Sequence, residues 1–137
     1  MIKKLSLVMI ISIMMTGCDN NTADELEFGT YSGSFTVFYD YNTSEQTSHS
    51  GSTVLTLDEG GYNLTEETYV TPPRSIGNCE WTAATISFQD TTIHTAEFDW
   101  QLIIHGSYVY SYDGLTLDMS QLDSDAKRKY RYILTKD

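Results

Sequence analysis

Basic residues, cysteine and proline are all scarce in this chain, and each shortage excludes something. Eight lysines and arginines stand against 19 aspartates and glutamates in 137 residues, a formal net charge of −11. Between Asp19 and Ala126 the only basic residue is Arg74, so no positive field exists to displace counterions from a nucleic acid. Two cysteines cannot build a disulfide framework, and with three scattered histidines and no HExxH they offer no metal-ligand spacing. The two prolines are adjacent, Pro72-Pro73, which leaves the rest of the chain free to pair as strands. A phosphate-binding glycine loop and a G-x-S-x-G elbow are also missing, and no cofactor is expected. Long amphipathic helical patterns are absent too, so no crossover can join parallel strands and a parallel α/β fold is excluded.

What is present begins with the N-terminus. Lys3 and Lys4 precede an apolar run from Leu5 to Met15, about eleven residues and too short for a spanning helix. The run leads into Met15-Thr16-Gly17-Cys18, with small residues just before a cysteine. Residues 1–17 therefore read as a lipoprotein signal peptide, with Cys18 the lipidated new N-terminus and Met15 standing where leucine is more usual. Each buried acyl methylene contributes roughly 0.8 kcal/mol, so several chains on Cys18 make a stable membrane anchor. Removing residues 1–17 takes two of the eight basic residues and none of the 19 acidic ones, leaving a formal charge of −13. Residues 18–26 are polar and read as a flexible tether, and 27–137 as a single folded domain.

From Phe28 onward the hydrophobic period is two. Tyr31, Phe35, Val37 and Tyr39 share one face of a first strand. A hairpin around Gly60-Gly61 is expected to set Leu57 near Leu64. Further strands follow at Trp81, at Thr85–Gln89, from Phe98 to Ile104, from Tyr108 to Tyr112, from Leu115 to Ser120, and around Tyr130, Tyr132 and Leu134. Eight or so short strands rich in Tyr, Thr, Phe, Val and Ile give an all-β fold. The close hairpins favour a small antiparallel up-and-down barrel over a two-sheet sandwich. Such a barrel is filled by side chains or holds one small ligand.

The chain resembles a group of small, largely uncharacterised lipoproteins of Bacteroidetes with a lipocalin-like barrel. The resemblance rests on Gly17-Cys18, the glycine-aromatic strand from Gly29 to Phe35, Ile86–Phe88, Ala96–Trp100, Gly106–Tyr108, the turn Tyr112–Gly114 and the closing YRYILTK at Tyr130–Lys136. It implies a lipid-anchored protein of the bacterial cell envelope, at the outer membrane, and no catalytic chemistry. The Gly-x-Trp and disulfide of true lipocalins are missing.

The candidate functional residues concentrate in A96-EFDWQLIIHGSYVYSYDG-114. A two-residue Asp113-Gly114 turn would oppose Tyr112 to Leu115, Tyr110 to Leu117 and Tyr108 to Met119, all facing inward. Trp81, Trp100, Tyr108, Tyr110 and Tyr112 are the candidate ligand wall, for a small apolar molecule, a glycan or an envelope protein. Trp100 and Leu102 are expected to be buried. Glu97 and Asp99 share a strand face at the spacing of paired glycosidase acids, yet alternation turns that face to solvent. No catalytic residue is therefore assigned. His105 reads as a turn residue, and His49 and His94 as isolated. Cys79, beside Glu80 with no cation near, reads as an inert thiol. Five of the six remaining basic residues lie in K127-RKYRYILTKD-137, and its first part, K127-RKYR-131, is expected to lie against the acidic body or to mark a partner surface.

Overall fold

The computed structural model describes residues 25–66, 72–94 and 99–137. The signal peptide, Cys18, Glu97 and most of the tether lie outside the described residues. Eight strands form: β1 (Gly29–Tyr39), β2 (Thr47–Asp58), β3 (Gly61–Glu66), β4 (Ser75–Trp81), β5 (Thr85–Asp90), β6 (Gly106–Tyr112), β7 (Thr116–Leu122) and β8 (Arg128–Lys136). Each pairs antiparallel with the next, and β8 returns to β1, so the sheet is a closed up-and-down barrel rather than a sandwich.

Alternation decides which residues fill it. In β1 the buried residues are Tyr31, Phe35 and Val37, and in β8 Tyr130, Tyr132 and Leu134. The registers Phe35↔Tyr132 and Val37↔Tyr130 put these on one inner face. The outward residues of β1 and β2 are largely hydroxylic, with Thr30 against Thr56, Ser34 against Ser52 and Thr36 against Ser50. Most large apolar residues lie within the barrel, while Ile76, Val109 and Ile133 are exposed.

The two ends differ. At the hairpin end the links are short: Glu59-Gly60, Thr82–Ala84 and Asp113–Leu115. The chain enters β1 and leaves β8 there, with Tyr31 opposite Lys136. Gly61 makes the first link possible, since its φ of +129° is unfavourable for other residues and an added Cβ would sit 2.0 Å from the Gly77 carbonyl oxygen. The loop end holds the longer connections, including the one from β5 to β6 with a 3₁₀ turn at Trp100–Leu102.

Two expected registers and one expected strand change. Asp58 pairs with Gly61, so the turn is Glu59-Gly60 and Leu57 faces Tyr62, with Leu55 facing Leu64. Tyr112 pairs with Leu117 and Tyr110 with Met119, a shift of two residues that leaves Leu115 exposed in the link. The cause is Asp113, whose carboxylate accepts from the backbone N–H groups of Leu115 and Thr116 and widens the turn. Because the slip is even, every face is preserved. The strand expected from Phe98 to Ile104 is replaced from Trp100 by the 3₁₀ turn: Asp99 caps it by accepting from the Gln101 N–H at 3.0 Å.

Candidate functional site

The expected ligand wall does not assemble. Trp81 lies at the hairpin end, half-buried and edge-on to Phe28 with ring centres 5.4 Å apart. Tyr110 is there too, donating to the Thr82 carbonyl oxygen at 2.6 Å, and Tyr112 donates to that of Gly114. Tyr108 is deep in the lumen with 2% of its surface exposed. Trp100 sits at the opposite end and is 52% exposed, so its expected burial is wrong. The 3₁₀ turn breaks the alternation: consecutive Leu102, Ile103 and Ile104 plug the barrel while Trp100 turns outward.

The lumen instead holds a continuous chain of rings. Tyr62 meets Phe88 at 5.0 Å between ring centres, Phe88 meets Tyr108 at 5.7 Å, Tyr108 meets Tyr132 at 5.8 Å, and Tyr132 meets Phe35 at 4.7 Å. These rings come from β3, β5, β6, β8 and β1, so the chain runs from wall to wall. Mostly edge-to-face contacts of this kind add about 0.5–1.5 kcal/mol each beyond area burial. Burial pushes the Tyr108 and Tyr132 hydroxyls far above the usual phenol range, and neighbouring tyrosines add to it.

A polar relay runs from that core to the loop end. Tyr62 donates to Ser75 Oγ at 2.6 Å, because the Ser75 proton is committed to Asp90 Oδ1 at 2.7 Å. His94 Nε2 donates to Asp90 Oδ2 at 2.6 Å, and its ring lies 5.7 Å from that of Trp100. His94 is therefore not isolated, although nothing in its spacing from Asp90 signals the contact. Burial raises the Asp90 pKa, but hydrogen bonds from Ser75, Thr92 and His94 outweigh it and leave the carboxyl below its ordinary range. Burial lifts the Tyr62 hydroxyl to about 12. Serine, aspartate and histidine are all present, yet the serine proton points to the carboxylate and not to the imidazole. That order does not activate a nucleophile. Cys79 is pushed up by burial, then by Asp58 and Glu80, to about 11, so it stays a thiol at neutral pH.

No family model, curated protein or solved structure matches the chain. The site must therefore be read from its own geometry.

The loop end carries a cleft of about 300 Å³ lined by Gln101, His105, Gln121, Leu122, Asp123, Ser124 and Tyr130. Beside it, Arg128 donates to Asp99 at 3.1 Å and stacks over the Tyr39 ring, which ties the 3₁₀ turn to β8. Asp99 is thus one half of an ion pair. Gly106, at φ +71°, opens β6 and leaves room for the Gln121 amide, which an added Cβ would approach to 2.9 Å. His105 reads from the sequence only as a turn residue, and nothing there singles out Gln121 and Asp123, which lie at the end of β7 and in the link after it. Two residues of the basic segment 127–131 meet acidic residues of the barrel, Arg128 at Asp99 and Arg131 at Asp118 with two bonds of 3.0 and 2.6 Å; beyond it, Lys136 pairs with Glu27.

Proposed function

We propose that this chain is a non-enzymatic lipoprotein of the bacterial cell envelope, anchored at the outer membrane through lipid on Cys18, whose lipocalin-like barrel is filled and which acts through its outer surface. The observation that carries this reading is the ring chain from Tyr62 to Phe35, which occupies the space a lipocalin would give to a ligand. Of the expected wall residues, Tyr108 belongs to this ring chain and Tyr112 is buried beside Tyr31. An interaction module displayed from the membrane fits this better than a carrier of small apolar molecules. The geometry of a tether supports it: the described chain arrives at the hairpin end, where Leu26 is buried and Tyr31 donates to the Glu27 carbonyl. An anchor there leaves the loop end and its cleft facing away from the bilayer.

Two measurements test the reading. Metabolic labelling with an alkyne fatty acid should mark the full chain in a bacterial host and leave a Cys18→Ala variant unmarked. Label on the variant would refute the anchor. Titration of the soluble domain with a fluorescent fatty acid should show no saturable binding, whereas saturable binding that disappears in a Tyr108→Ala variant of preserved fold would show a usable lumen.

A further inference from the structure

The cleft at the loop end is lined by acceptors whose donor partners are already spent. Gln121 Nε2 donates to the carbonyl oxygens of His105 and Ser107 at 3.0 and 3.1 Å. Both partners accept only, so the amide nitrogen is fixed toward them and Oε1 is turned away, free to accept. His105 Nδ1 lies 2.7 Å from the Ile103 carbonyl oxygen and must carry its proton there. In the neutral ring this leaves Nε2 with a lone pair. Tyr130 directs its proton to Asp123 Oδ2 at 3.5 Å, a long bond. Asp123 Oδ1 is buried and has no hydrogen-bond partner among the described residues. A buried carboxylate oxygen without a donor is costly, so it gains more from an incoming donor than a solvated one does. Arg128 beside the cleft is paired with Asp99 and also interacts with the Tyr130 hydroxyl.

We propose that this cleft binds the primary ammonium group of a small aliphatic amine. An ammonium offers three donors and no acceptor, which matches the Asp123 carboxylate, Gln121 Oε1 and His105 Nε2. The formal charge of −11 attracts a cation and repels an anion. A volume of about 300 Å³ accepts an amine on a short carbon stem, and Leu122 supplies an apolar wall for that stem. The proposal rests on the reading of the loop end as the working surface.

Calorimetric titration of the folded domain with cadaverine is the test, with 1,5-pentanediol as the uncharged twin and glucosamine against glucose to separate an amino sugar from a plain alkylamine. Cadaverine should bind saturably and pentanediol should not. Asp123→Asn should weaken binding at least tenfold, while Asp125→Asn, which changes net charge equally on the exposed neighbour, should change it less than twofold. Amide NMR spectra of each variant establish that the fold is kept, and the Gln121 side-chain amide should shift on binding. Equal binding of pentanediol, equal losses in the two variants, or no saturable binding would each overturn the proposal. None of these results bears on the Cys18 anchor or the filled lumen, which the labelling and fatty-acid titrations test separately.

Discussion

The hairpin end and the loop end of this barrel are built by different rules. At the hairpin end, close turns bring backbone within van der Waals range, as at Gly61 and the Gly77 carbonyl, and aromatic rings seal the opening. At the loop end the seal is made by three consecutive apolar residues, Leu102 to Ile104, held by side-chain contacts: Asp90 to His94 on one side and Arg128 to Asp99 on the other. Backbone closeness tolerates almost no change, whereas side-chain contacts can be exchanged one at a time. The first end is therefore the less tolerant of substitution.

Glycine substitutions should expose this difference most sharply. Gly61→Ala forces a Cβ to 2.0 Å from a backbone oxygen at φ +129°, so urea unfolding should show a loss of several kcal/mol or no fold at all. Gly106→Ala meets only the movable end of Gln121 at 2.9 Å and should lose about 1–2 kcal/mol. Equal losses would erase the distinction between the ends. The two tryptophans give the next largest contrast. Trp81→Ala, which removes a ring packed on the core and Phe28, should cost about 2–3 kcal/mol, and Trp100→Ala, with half its surface exposed, under about 1. Iodide should quench Trp100 more strongly than Trp81.

The relay should make the loop end sensitive to acid. Asp90 has a folded pKa below its ordinary value of 3.8, so it stabilises the fold fully above that value. The contribution is lost as pH falls below about 4 and through the depressed folded pKa. Urea midpoints measured from neutral pH to pH 2.5 should fall less steeply for Asp90→Asn than for the parent, and parallel curves would refute the role of Asp90. The smallest effect belongs to the lumen between the ends. The Tyr132 hydroxyl is buried without a hydrogen-bond partner among the described residues, so Tyr132→Phe should be neutral or stabilising by up to about 1 kcal/mol in the same assay.

Much of the barrel wall is legible in the sequence because alternation is a local signal. Tyr31, Phe35 and Val37 face inward as their spacing requires, and the tyrosines of β6 share a face with Leu117 and Met119 although the turn between them is longer than two residues. Parity survives an even slip. The loop end is far less legible. Asp99 before Trp-Gln-Leu is a cap signal hidden inside what reads as alternation, which is why the sequence suggests a buried Trp100. The Asp90–His94 contact depends on the chain folding back after β5, where Thr91 and Thr92 bond Ile76. The acceptor-lined cleft is harder still, because Gln121 acquires its orientation from two carbonyls of a different strand.

Closure of the sheet has a consequence for how the molecule comes into being. β1 is bonded along its length to β2 on one side and β8 on the other, with Tyr39 opposite both Thr47 and Arg128. The first strand to emerge during synthesis therefore waits for the last one before its second edge is covered. Pairing between distant parts of a chain is slow compared with local pairing, and an uncovered edge invites a foreign strand. A chain cut short before Arg128 would carry two such edges and the row of Tyr130, Tyr132 and Leu134 would be missing from its centre, so the barrel closes only once the nine-residue β8 has docked.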